Sequence, residues 1–219
     1  MTDKKNAREG IKCIFNSQLI QLISEVAMMG AVISGIVGFF TQYESTFVDS
    51  ITSVTVFFYI AEALSIISFI VMMVGVTKAK KDSDGYKKVY KYIIASLLIQ
   101  IIGYILVGAT GLNFISTAAL IISQVCVILM FKTIIDSNAS LLREKKLDEL
   151  ADKGTLIWRL SLVVLIISII IGIVEIILAF VGTEAVIMFA NVAEIVEAFF
   201  QAVAYGCFMW FLYVTYKNI

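Results

Sequence analysis

Long apolar runs alternate with short polar breaks along this chain, and six of the runs reach the length of a bilayer crossing. They lie near residues 13–40, 52–77, 90–110, 114–133, 158–181 and 186–214. At about 1.5 Å per residue, roughly 20 residues suffice to cross the hydrocarbon core. Inside the runs, polar residues recur at helical spacing rather than in the strict alternation of a strand. The pattern predicts an all-α polytopic membrane protein, a single transmembrane domain over residues 1–219 with six transmembrane helices arranged as three in-out-in hairpins.

The polar breaks fall into two kinds. TQYESTFVDS after the first run, TGLN after the third and VGTEA after the fifth contain no Lys or Arg. All 17 basic residues sit elsewhere: before the first run, between runs two and three, between four and five, and at Lys217. By the positive-inside rule these segments and both termini are cytoplasmic, which places Glu44, Asp49 and Glu184 outside a cell membrane crossed several times. The formal net charge of zero conceals this segregation. Nine of the 17 acids share the basic side, leaving it +8, a surface suited to anionic lipid headgroups. Nucleic acid is not an expected partner, because the chain has no separate basic domain.

Composition agrees with the pattern. The chain is 60% hydrophobic and 16% charged and has neither proline nor histidine, outside the range of soluble domains. The basic start is like that of a signal peptide, but the apolar run after it is too long, so it is expected to be a retained first span. Cys13, Cys126 and Cys207 are odd in number and scattered, and support neither a disulfide framework nor a metal motif.

The hairpins look like copies of one unit. Each opens on a glycine with a basic and aromatic entry: GIKCIF at Gly10, GYKKVYKY at Gly85 and GTLIWRL at Gly154. Each even run leaves through a related sequence, GVTKAK, MFKTII or YVTYKN. Residues 136–154, DSNASLLREKKLDELADKG, predict a short amphipathic helix on the cytoplasmic surface that stops at Gly154, with Arg143, Lys145 and Lys146 toward lipid phosphates. At KKDSDGYKKVY and REKKLDELADKGTLIW the chain resembles small bacterial integral membrane proteins built of three helical hairpins. That resemblance implies the fold alone, with no activity and no site residues.

The candidate chemistry lies within the apolar runs. In FANVAEIVEAFFQ, residues 189–201, Asn191, Glu194, Glu197 and Gln201 fall on one side of a helix. Gln18, Gln21 and Glu25 make a similar stripe in the first run, with Glu62 in the second, Gln100 in the third and Gln124 in the fourth. No Lys, Arg or His lies deep enough to neutralise the acids. A carboxylate at the bilayer centre costs several kcal/mol, so each must be protonated, hydrated or paired. These ten residues are the expected lining of an acidic cavity that binds a proton or small cation, serving transport or permeation. A bundle this small would act as a homo-oligomer or with a partner membrane subunit. The alternative is a non-catalytic structural or accessory module in which neutral carboxyls and amides bond across helices. Ala198, Ala202 and Gly206, with Gly30 and Ser34, form small-residue ridges suited to close helix contact.

An enzyme is not expected. The chain has no histidine, no paired cysteines, no nucleophile elbow and no glycine-rich phosphate loop, so no catalytic residue, cofactor or metal is assigned. The topology is checked by accessibility mapping in a cysteine-free background. A Glu184→Cys protein is expected to react with an impermeant maleimide only from the external side, and labelling only from the cytoplasmic side overturns the scheme.

Overall fold

Without proline, no run contains a residue that must kink or stop a helix, and the helices outlast the apolar runs that nucleate them. The computed structural model describes the backbone of residues 4–40, 44–110, 114–179 and 184–219. It describes side chains over 4–31, 52–110, 122–123, 125–164 and 202–219, together with 119, 166, 167, 170 and 200. Among these residues the chain is all-helical: α1 (Lys5–Phe40), α2 (Glu44–Ala79), α3 (Asp84–Thr110), α4 (Phe114–Glu144), α5 (Asp148–Ala179) and α6 (Glu184–Asn218). Among the described residues, three stretches are long and apolar enough to cross a membrane, Thr52–Ala79, Asp84–Thr110 and Val125–Glu144. The helices have 27 to 36 residues, about 40 to 54 Å, so each exceeds a hydrocarbon core of about 30 Å.

The chain forms two compact units, Met1–Asp82 and Ser83–Ile219. In the first, α1 and α2 lie antiparallel along a seam of small residues. Gly10, Ser17, Ser24 and Ala31 recur every seven residues on α1 and are buried, as are Ala61, Ser68 and Gly75 on α2. The members meet in order: Gly10 against Gly75, Ser17 against Ser68, Ser24 against Ala61. A seven-residue period falls short of two full turns, so the seam keeps facing its partner when the helices wind gently about each other. A Cβ on Gly10 would lie 2.5 Å from the Gly75 carbonyl oxygen, and one on Gly75 would lie 2.7 Å from that of Gly10.

The open end of this hairpin is closed by a cap supplied from the far end of the unit. The Asp82 carboxylate, just past α2, accepts hydrogen bonds from the backbone N–H of Ala7 (2.9 Å) and from Asn6 Nδ2 (3.1 Å). It thereby satisfies an orphan donor in the first turn of α1, where the helix dipole also favours negative charge.

In the second unit α3 and α4 form another antiparallel pair, from Tyr86 beside Asn138 to Gly103 against Ala119. α4 also packs on α5 and α6. The α4–α6 contact includes the rings of Phe131 and Phe208, 4.2 Å between centroids. Gly154 admits the ring of Phe211, whose Cζ would lie 2.6 Å from a Cβ there.

The expected surface helix over 136–154 is corrected. α4 continues to Glu144, and α5 begins at Asp148 and carries Gly154 in its interior. Between them Lys146 adopts a left-handed φ of 60°. Lys146 N–H bonds to the Arg143 carbonyl (2.9 Å) and Leu147 N–H to that of Leu142 (3.0 Å), the paired bonds of a Schellman cap. Leu141, Leu142 and Ala151 are buried beneath the turn, and Arg143 bridges it to Asp152 at 3.0 Å.

The small-residue ridges are corrected in part. Ala202 and Gly206 are exposed, and a Cβ on Gly206 would meet nothing within 4 Å. The buried face of α6 instead carries Ala204, Phe208, Phe211, Leu212 and Thr215. Gly30 does make a close contact, with the ring of Phe57 at 3.3 Å from its would-be Cβ. Ala198 and Ser34 lie outside the described side chains.

The backbone contacts set an order of stability. Gly10→Ala and Gly75→Ala are each expected to cost about 1–3 kcal/mol, because carbonyl oxygens cannot rotate away as side chains can. Gly206→Ala, in open space, is expected to be neutral or to stabilise by up to about 1 kcal/mol. Thermal unfolding of the detergent-solubilised protein measures all three.

Candidate functional site

A polar side chain among apolar neighbours needs a hydrogen-bond partner, because they offer none. In the first unit that need is met mainly across the α1–α2 seam. Ser24 Oγ donates to the Ala61 carbonyl and Ser68 Oγ to that of Ser17, at 2.7 and 2.8 Å, both buried. Each serine thus holds a helix to its neighbour through a backbone carbonyl that is already part of a helical ladder.

Beside the seam, Gln21 joins two helices. Ser65 Oγ of α2 donates to Gln21 Oε1 at 3.2 Å, and Gln21 Nε2 donates to Glu25 Oε1 at 2.8 Å. This relay brings together two of the ten expected site residues. Glu25 itself is exposed, as is Glu62 on α2, and Gln18 is half-buried. Around Glu25 the surface is apolar, with Leu22, Ile23, Val26 and Met29 all exposed. Within this unit, therefore, the two carboxylates stand on outward faces and not inside a chamber.

The second unit has its own polar cluster. Gln100 Nε2 donates to Ser123 Oγ at 2.7 Å, and Ser123 shares a further hydrogen bond of 2.7 Å with Ser96. Gln100 is thus tied into the α3–α4 interface, where Gly103 and Ala119 allow the close approach. Nearer the basic loops, Tyr86 donates to Asn138 Oδ1 at 2.7 Å, both side chains fully buried. Asn138 Nδ2 has no hydrogen-bond partner in the structure.

The side chains of Gln124, Asn191, Glu194, Glu197 and Gln201 lie outside the described residues, although their positions fall within α4 and α6. Of the expected residues, the structure brings together Gln21 and Glu25 directly and ties Gln100 to serines. Sequence reasoning passed over Ser17, Ser24, Ser68, Ser123, Tyr86 and Asn138. The seven-residue recurrence of Gly10, Ser17, Ser24 and Ala31 was the available signal for the first seam. Tyr86 and Asn138 carry no local signal, since their pairing spans 52 residues.

Charge is concentrated where the helices end. Lys78 pairs with Glu9 at 3.2 Å, Lys87 with Asp84 at 2.7 Å and Lys153 with Glu149 at 3.8 Å. These pairs are solvent-accessible, so water and salt screen them and they add little to stability. Lys153 also sits 5.7 Å from the centroid of the Trp210 ring. Among the described residues no three His, Cys, Asp or Glu side chains cluster as metal ligands would.

No family model matches the chain, nor does any curated protein or solved structure.

The polar clamps predict a measurable coupling. In a double-mutant cycle, Gln100→Leu and Ser123→Ala are expected to share about 0.6 kcal/mol, rising to about 2 kcal/mol at most. Additive effects in thermal unfolding would remove Gln100 from the interface.

Proposed function

We propose that this chain is a non-catalytic, multi-pass membrane module that crosses the bilayer six times as three hairpins, with both termini cytoplasmic. One observation carries the reading. The described polar groups at mid-helix bond mainly within a helix pair, while large apolar side chains face outward. Of the most apolar 18 residues in Thr52–Ala79 and in Asp84–Thr110, only 11% are buried, so this surface needs lipid or another membrane protein against it. A threefold repeat is favoured by Gly10, Gly85 and Gly154, since each sits near the start of an odd-numbered helix and meets the next helix, at Gly75, Ser137 and Phe211 respectively.

A second reading keeps the carboxylates as a site for a proton or small cation. It is favoured by Glu25, which stands exposed among apolar neighbours with one oxygen held by Gln21. Glu62, Glu194 and Glu197 would join it, with Gln18, Gln124, Asn191 and Gln201 as surrounding hydrogen-bonding groups.

Proteoliposomes separate the two. The module reading expects proton, sodium and potassium fluxes down an imposed gradient to equal those of protein-free vesicles. A gradient-driven flux that disappears in Glu25→Gln with Glu62→Gln would overturn it in favour of cation passage.

A further inference from the structure

An open groove of about 380 Å³ runs along α2, lined by Phe69, Ile70, Met73, Val74, Thr77 and Lys78. These positions make one stripe on a single helix, on the side opposite the buried line of Ala61, Ser68 and Gly75. Phe69, Ile70 and Val74 are exposed along it. The feature is shallow and open, a helix face along which a chain can lie rather than an enclosed pocket. Its wall is apolar for most of its length and turns polar only at the last turn, with the Thr77 hydroxyl and the Lys78 ammonium.

Charge at that polar end is strongly one-sided. Lys4, Lys5, Arg8 and Lys12 at the start of α1 join Lys78, Lys80 and Lys81 at the end of α2, against Glu9 and Asp82. Both acids are engaged, Glu9 with Lys78 and Asp82 with the first turn of α1. Among the described residues of this unit, seven cations against two acids leave this end +5. An apolar trough within a span, ending at a cationic helix terminus, matches a chain joined to an anionic headgroup.

We propose that the α2 groove binds one acyl chain of an anionic phospholipid, with the headgroup phosphate held at the Lys78 ammonium. The inference rests on the membrane reading above and adds a defined lipid site to it. Charge decides against a second copy as occupant, because copies side by side in one membrane would bring like-charged ends together. A free phosphate would leave the apolar trough uncovered.

The test uses the full chain with Trp158→Phe and Trp210→Phe, carrying either Met73→Trp in the groove or Val56→Trp near the other end of α2 as control. Each is reconstituted into mixed phosphatidylglycerol and phosphatidylcholine vesicles, with one lipid brominated at a time at equal mole fraction, and tryptophan quenching is measured. At Met73→Trp, phosphatidylglycerol is expected to be preferred about fivefold, the factor that one cation at the surface supplies. Lys78→Gln is expected to remove the preference, and Val56→Trp is expected to show none. Equal quenching by the two lipids at Met73→Trp, a preference that survives Lys78→Gln, or the same preference at Val56→Trp would each overturn the site. If neither lipid quenches at either position, the membrane reading of α2 fails as well. Should Met73→Trp fail to reconstitute, Val74→Trp serves on the same stripe with the same outcomes.

Discussion

How near two helix backbones can approach decides most of what the first unit does. At Gly10 and Gly75 each carbonyl oxygen occupies the space a Cβ would need on the other helix. That proximity puts Ser24 and Ser68 within hydrogen-bonding reach of carbonyls across the seam, and lets the Asp82 carboxylate reach the first turn of α1. In lipid, little hydrophobic force pulls helices together, so close packing and interhelical hydrogen bonds must do so. Small residues at every seventh position supply the first and make the second geometrically possible. A larger side chain at Gly10 would therefore lose packing and hydrogen bonds together.

Among the described residues, burial is graded along the helices. The largest fully buried side chains are Ile11, Ile14, Val76, Tyr86, Val89, Ile134, Ile135, Asn138, Leu142, Phe208, Phe211 and Leu212, all toward the basic helix ends. Toward the middles, Leu22, Ile23, Val26, Ile66, Ile70, Ile101, Ile102 and Ile105 are exposed. A water-soluble bundle would bury its middle and solvate its ends. The inverse arrangement fits helices whose middles are solvated by hydrocarbon, while their ends must build a conventional core against water. The capped turn at Lys145–Leu147 belongs to that core, since Leu142 and Ala151 fill the space beneath it.

The helices were legible in the sequence because apolar runs and the lack of proline act locally. Their ends were less so. Good helix formers over 136–154 suggested one helix, yet Lys146 in the left-handed region divides the segment, a conformation chosen by two backbone hydrogen bonds that no residue type there announces. Gly154, expected as a stop, is an interior close-contact residue because Phe211 needs its missing Cβ. The helical-wheel argument placed Gln21, Glu25 and Gln100 on polar stripes. It could not tell a stripe at a seam from one beside it, since a turn of one residue, about 100°, moves a side chain from buried Ser24 to exposed Glu25.

That single step also defines what kind of question Glu25 and Glu62 pose. Serine and glutamine in the spans can return their polarity to a neighbouring carbonyl or hydroxyl, and Ser24, Ser68 and Gln100 do so. A carboxyl has more acceptor capacity than one amide can fill, and Gln21 satisfies one oxygen of Glu25 through a single bond of 2.8 Å. The remainder faces a surface made of Leu22, Ile23, Val26 and Met29, which offers nothing polar. Glu25 takes part in the α1–α2 pair only through Gln21, which in turn accepts from Ser65 of α2.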